Sequence, residues 1–278
     1  MKRVFLAFVA VGALASAPAS AQRVGQPLVL DQLYLEDTGP AATSGSALLR
    51  QLEDPNSGFY ASRGTFTVNG ARSQVIQSAA RGVGIRGGYY EEARRINDLL
   101  MTTYRNNLSA HYNFAPLMLQ SGYVVPPAIT EVRQVRELSG PNFLYLTNGS
   151  YEIVREARLT TMTPTWMDWL LLPLREVRPP ENLTMENNEE RALWRRSVRE
   201  GWETGVREAR AAFSTALATL NRDYYGMRLF HQLARQGAVS IPQVDVSSRR
   251  WRVTEDGQRA FEGETTITIQ VNSRFRRR

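Results

Sequence analysis

Between Trp194 and Met227 apolar side chains recur without a gap at Trp194, Val198, Trp202, Val206, Ala209, Phe213, Leu217, Leu220, Tyr224 and Met227. The steps of three and four average close to 3.67 residues, the period of a long helix with one buried face and not that of a strand. At ~1.5 Å per residue the stripe runs about 50 Å, so the chain must organise itself along a spine. Asn187 stands as an N-cap with Glu190 three residues on, a capping-box arrangement. Gly226 is a poor interior residue, so the helix is expected to break near Tyr225-Gly226-Met227 and resume as a short helix through Leu233. Gln236-Gly237 and then Pro242 supply the stop.

The rest of the chain reads as elements arranged about that spine. Helical spacing from Ala71 through Val83 meets the glycine-rich Val83-Gly84-Ile85-Arg86-Gly87-Gly88, which reads as a flexible joint before a second helix from Tyr89 to Leu108. From Ile129 the period changes to two. Phe143 to Thr147, then Asn148-Gly149, then Ser150 to Thr160 carries the signature of a hairpin turning at Asn-Gly, whose residues accept the positive φ of a type I′ turn. The segment T-P-T-W-M-D-W-L-L-L-P-L, residues 163–174, reads as a short apolar helix begun after Pro164. Two late strands, joined through Asp256-Gly257, place Ile267, Ile269 and Val271 on one face that is expected to be buried. Helix, hairpin, long helix and hairpin in that order define an α+β fold with an antiparallel sheet built from hairpins. Residues 22–70 are rich in Gly, Pro, Ser and Thr and read as an extended or partly disordered arm, with 71–278 as a single domain.

Residues 1–21 have the form of a signal peptide. Lys2 and Arg3 precede an apolar run, Val4 to Ala15, and Ala19-Ser20-Ala21 is a small-residue cleavage site before Gln22. Export to the periplasm with Gln22 as the mature N-terminus is the expectation. The sequence has no cysteine, which removes thiol catalysis, Cys-ligated metal and lipid attachment through a lipobox. The net charge of +7 comes almost entirely from arginine interspersed with glutamate, the pattern of a salt-bridged or partner-facing surface. The terminal Arg274-Phe275-Arg276-Arg277-Arg278 reads as a frayed tail.

Chemistry finds little foothold. His111 and His231 are the only histidines and stand 120 positions apart, so neither a metal-binding pair nor a Ser-His-Asp triad has support. The glycine-rich segment lacks the Gly-Lys-Ser/Thr ending of a phosphate loop. Glu152 and Glu156 share one strand face and are the paired-carboxylate option for a murein-lytic enzyme, but flanking arginines make them a salt-bridged surface. No catalytic residue, cofactor or metal is expected. Gly201 and Gly205, one turn apart beside Trp202 and Val206, each weaken a helix by ~1 kcal/mol and so point to a close approach by another backbone or a large ring, with tolerated surface glycines as the alternative.

The stretch around Gly201, Trp202, Gly205, Phe213, Leu217, Leu220, Arg222-Asp223, Gly226-Met227, Val239 and Pro242 resembles the DotC family of type IVB (Dot/Icm-type) secretion systems. That family includes the TraI proteins of IncI-type conjugation systems. The blocks N-F-A-P-L-M-L, V-V-P-P-A-I-T-E, Y-E-I-V-R-E-A-R-L-T-T and P-T-W-M-D-W-L, which holds Trp166, Asp168 and Trp169, are similar in order and spacing, so the resemblance spans roughly residues 70–245. It implies a non-enzymatic subunit of a large hetero-oligomeric core complex, peripheral to the outer membrane and not contacting nucleic acid. DotD-like and DotH-like subunits are the implied partners, and help in placing the DotH-like one in the outer membrane is the implied role. The sequence departs from the family in lacking the lipobox cysteine and in having Met167 where an arginine is expected. A free periplasmic peptidoglycan-binding module and, behind it, a murein-lytic enzyme are the alternatives.

Overall fold

The computed structural model describes residues 46–54, 69–138, 144–177, 183, 185 and 187–277. The expected leader, its Ala21–Gln22 junction and most of the expected N-terminal arm lie outside the described residues. Within that arm, residues Ala47–Glu53 form helix α1, capped by Ser46, whose Oγ accepts from the Leu49 amide. Its Leu49 and Leu52 are buried.

Two long helices dominate. Helix α2, Asn69–Leu99, runs straight through the glycine-rich segment, which corrects the reading of that segment as a joint. The glycines are there for packing and not for flexibility, as the next subsection shows. α2 passes into a π-helical turn, Leu100–Tyr104, and then into α3, Arg105–His111. Core residues Ile96, Leu100 and Leu108 explain the π turn. Steps of four advance an α-helical side chain by about 40° each, and the wider turn takes that advance back, keeping Leu100 and Leu108 on one core.

Short 3-10 turns, Ala115–Leu117 and Gln120–Gly122, lead to β1, Val124–Val125, and β2, Ala128–Leu138. β3, Leu144–Arg155, pairs antiparallel with β2, and β4, Arg158–Leu159, pairs with β1. Asn148-Gly149 does not turn the hairpin. Both residues sit inside β3, with Gly149 opposite Arg133. The ladder runs on to Leu138 opposite Leu144, so Asn148-Gly149 lies well inside it. Helix α4, Met167–Leu170, follows Pro164 as expected.

Helix α5, Asn188–Arg235, is continuous for 48 residues, about 72 Å at the α-helical rise. Asn187 caps it, its Oδ1 accepting the Glu190 amide at 2.8 Å. The expected break at Gly226 does not occur. Gly237, at φ +72°, ends the helix region. The buried face of α5 unites three apolar clusters in sequence order. Trp194, Val198, Trp202 and Val206 pack with α1 and the first half of α2. Phe213, Leu217, Leu220, Tyr224 and Met227 form the largest cluster with Ile96, Leu100, Phe114 and Trp166. Phe230 and Leu233 close the far end on Ile129 and Val239.

Strands β5, Gln243–Val253, and β6, Ala260–Val271, form a two-stranded ribbon turned near Gly257 at φ +68°. Its expected buried face is not buried. Ile267 and Ile269 are half-buried and Val271 is exposed, because among the described residues no layer covers the ribbon. The arginine tail is also tied down. The Ser240 amide donates to the Arg274 carbonyl, the Arg276 amide to the Ala238 carbonyl, and Phe275 bridges to Val239. Three separate two-stranded antiparallel sheets accompany the helices among the described residues, and the fold class is α+β.

Candidate functional site

The glycines at 84, 88, 201 and 205 are the two halves of one contact. α2 and α5 run parallel, since Arg72 pairs with Glu190, Arg81 with Glu200 and Glu92 with Arg210 in the same rising order. At their crossing each helix presents glycine at i and i+4. A Cβ at Gly84 would lie 2.1 Å from the Val198 carbonyl oxygen, and one at Gly88 2.2 Å from that of Trp202. Reciprocally, a Cβ at Gly201 would lie 2.3 Å from the Arg81 oxygen, and one at Gly205 2.0 Å from that of Ile85. The two backbones therefore touch directly, with glycine Cα hydrogens facing carbonyl oxygens across the crossing. Gly87 completes the notch by admitting the Trp202 ring and Leu52. Trp194 fastens α1 to the same end, donating from Nε1 to the Leu52 carbonyl at 2.9 Å.

Roughly 27 Å along α5 from Gly205, at ~1.5 Å per residue, Asp223 forms a second knot. It is fully buried. Arg155 at the end of β3 reaches its Oδ2 at 2.6 Å, Arg222 its Oδ1 at 2.9 Å, and Trp169 of α4 donates from Nε1 to Oδ2 at 2.9 Å. One carboxylate thus pins a strand, a short helix and the spine, and its charge is met by two guanidinium groups as a buried ion requires. Trp169 in turn stacks on Phe114, with centroids 5.1 Å apart and planes 2° from parallel. Beside it, Gly226 seats the base of β2. A Cβ there would stand 3.0 Å from the Ile129 amide nitrogen and carbonyl oxygen.

Between the two knots lies Glu92, also fully buried. It takes Arg95 of its own helix at 2.6 Å and Arg210 of α5 at 2.8 Å. Burial pushes its carboxyl up, but the hydrogen bonds and charges of Arg95 and Arg210 outweigh burial and hold Glu92 below the usual carboxylate range.

The structure distributes the residues singled out from sequence over these places. Gly201, Trp202 and Gly205 form the helix joint. Arg222, Asp223 and Trp169 meet in the ion-pair knot, and Gly226 adjoins it. Phe213, Met227 and Trp166 lie in the central core, where Trp166 also donates to Ser109 Oγ at 3.0 Å. Asp168, in the first turn of α4, accepts from the Thr165 amide at 2.7 Å. Gly84, Gly88, Glu92, Arg155 and Arg210 escaped the sequence reading as site residues. The i, i+4 spacing of Gly84 and Gly88, matching that of Gly201 and Gly205, was the signal that could have revealed the first two. Glu152 and Glu156 are not brought together as a pair. Glu156 receives the Asn272 side-chain amide, and the neighbouring Arg155 turns to Asp223. His111 lies 2.9 Å from the Tyr225 hydroxyl and His231 2.7 Å from the Leu117 carbonyl oxygen, far from forming a joint site. Among the described residues no cluster of three or more His, Cys, Asp or Glu could hold a metal ion, and no helix is long and apolar enough to cross a membrane.

The protein is of the α+β class, built on a parallel helix pair locked backbone to backbone and bridged by the buried Glu92. The chain belongs to the TraI family of type IV secretory systems, described as acting in conjugal DNA–protein transfer, whose family model matches residues 70–278. No curated protein matches it. The chain is thus related to type IV secretion and conjugation, and the family suggests membership in a multi-subunit complex.

Proposed function

We propose that the protein is a non-enzymatic structural subunit of the outer-membrane core complex of a type IVB secretion or conjugation system. In this reading it supports assembly and outer-membrane placement of a DotH-like subunit and works beside a DotD-like one. It is exported by residues 1–21, released before Gln22 and held at the outer membrane by protein contacts, without a lipid.

The observation that carries the reading is the reciprocal glycine joint, taken with the family match over residues 70–278. Direct backbone contact at four glycines removes side-chain slack between α2 and α5, which suits a strut that must hold other subunits at fixed spacing. The buried acids are engaged by arginine and tryptophan within the chain, so the reading assigns them to rigidity.

Cross-linking in intact cells, followed by sedimentation of envelope extracts and partner identification, tests it. The protein should travel with a large complex containing DotD-like and DotH-like chains. Sedimentation as a free monomer, with no such partners cross-linked, would overturn the proposal. Intact mass of the purified protein should correspond to a chain beginning at Gln22 with no lipid adduct.

A further inference from the structure

β4 and β6 each hydrogen-bond to one neighbour only among the described strands, β1 and β5 respectively. The phase of pairing sets where the unused groups of β4 point. Thr160 donates its amide to the Tyr123 carbonyl, while Leu159 stands opposite Val124. In an antiparallel ladder that alternation turns the Leu159 amide and carbonyl away from β1. Leu159 also lines a cleft of about 810 Å³, together with Tyr123, Thr160 and Thr161 and with Thr265 and Ile267 of β6. A groove of about 640 Å³ shares Thr160 and Thr161 with it and continues past Met162 to Arg155, Arg158 and Trp169.

Met162 is 78% exposed, Tyr123 49% and Leu159 46%, and threonines separate these apolar groups. Arg158 is exposed, and its guanidinium has no ion-pair partner among the described residues. Arg155 is paired with Asp223. Asp168 keeps its own charge, but its carboxylate is engaged by the Thr165 amide and hydroxyl, so Arg158 is the guanidinium of the groove left without an ion-pair partner among the described residues, next to the open edge of β4.

We propose that this cleft binds an extended segment of a partner protein as an added strand on the open edge of β4, against the face of β6 that carries Thr265 and Ile267. The segment alternates apolar with small polar side chains and carries a carboxylate that pairs with Arg158. Main-chain hydrogen bonds to Leu159 on the open edge of β4 add to the affinity, the apolar walls select alternate side chains, and the arginine fixes register. This inference goes beyond the role of the helix spine and does not depend on outer-membrane placement.

A phage-displayed library of random dodecapeptides, selected on the full purified chain, tests it. An enriched peptide is then synthesised and added at saturation while amide hydrogen exchange is followed. Enriched sequences should alternate apolar residues with Thr or Ser and contain Asp or Glu. The peptide should slow exchange at Leu159 and along β6, and Arg158→Glu, an exposed change that leaves folding intact, should weaken binding about tenfold. Met162→Asp, equally exposed, should weaken it too. The proposal fails if no peptide enriches, if both variants bind as well as the parent, or if protection falls outside β4 and β6. It also fails if these amides are already protected in the free chain and become exposed on deleting residues 22–45, since the chain's own N-terminal segment would then fill the cleft.

Discussion

Replacing Gly205 with alanine tests the helix joint with a single carbon atom. The new Cβ would sit 2.0 Å from the Ile85 carbonyl oxygen and 2.7 Å from the Tyr89 amide nitrogen. A carbon facing a carbonyl oxygen needs about 3.3 Å, so the backbones must part by about 1.3 Å at that point. Neither neighbour can yield alone, because both are main-chain atoms in the middle of α2. The displacement would also open the matching contacts at Gly84, Gly88 and Gly201. Alanine favours the helix itself by ~1 kcal/mol over glycine, and overpacking of this kind costs more than that. The expected net loss is about 3 kcal/mol, or a fall in Tm of about 6–12 °C for a domain of this size. Gly82→Ala is the control. It lies on the same α2 segment, and its Cβ would meet nothing closer than an Arg86 guanidinium nitrogen at 3.6 Å. Here only the helix preference acts, and stability should rise by about 0.5–1 kcal/mol. Urea unfolding followed by far-ultraviolet circular dichroism reads both. A Gly205→Ala protein as stable as the parent would refute the argument, whatever the control did.

Three further substitutions probe the polar interior and the start of the spine. Asp223→Asn leaves Arg155 and Arg222 without their charge partner and should cost about 2–3 kcal/mol in urea unfolding, less than a fully buried pair because both arginines are partly solvated. Glu92 has its folded value below the ordinary 4.5, so its contribution is complete above that pH and is lost as pH falls through the lower folded value. Glu92→Gln should accordingly destabilise the protein by about 1–2 kcal/mol at pH 7 and flatten the loss of stability seen for the parent below about pH 4.5, as followed by thermal melts across that range. Asn187→Ala removes the acceptor for the Glu190 amide and should cost about 1 kcal/mol, measured by the same melts.

Much of the fold is legible without coordinates because its cause is local. The Trp194–Met227 stripe, the Asn187 cap, the short helix after Pro164 and the turn at Asp256-Gly257 each follow from spacing or from backbone chemistry within a few residues. The misread elements share one feature, that the presence or the absence of a distant partner decides against local preference. Gly84, Gly87 and Gly88 look like a joint until Val198 and Trp202 are set against them. Gly226 looks like a helix end until β2 fills the space above it. Asn148-Gly149 looks like a turn until Arg133 is paired across from it, and Ile267 and Ile269 look buried although no described layer covers them.

What the sequence determined by itself was the spine and its marked residues, since period, caps and glycine spacing are properties of a single stretch of chain. It also carried the resemblance to a secretion family that the match over residues 70–278 bears out. Only tertiary structure decided what the marked residues do. The purpose of a glycine is defined by the atom that occupies the place of its missing side chain, and here that atom is a carbonyl oxygen more than a hundred residues away. The same holds for Asp223, whose burial is tolerable only because the fold delivers Arg155 and Trp169 to one of its carboxylate oxygens while Arg222 meets the other.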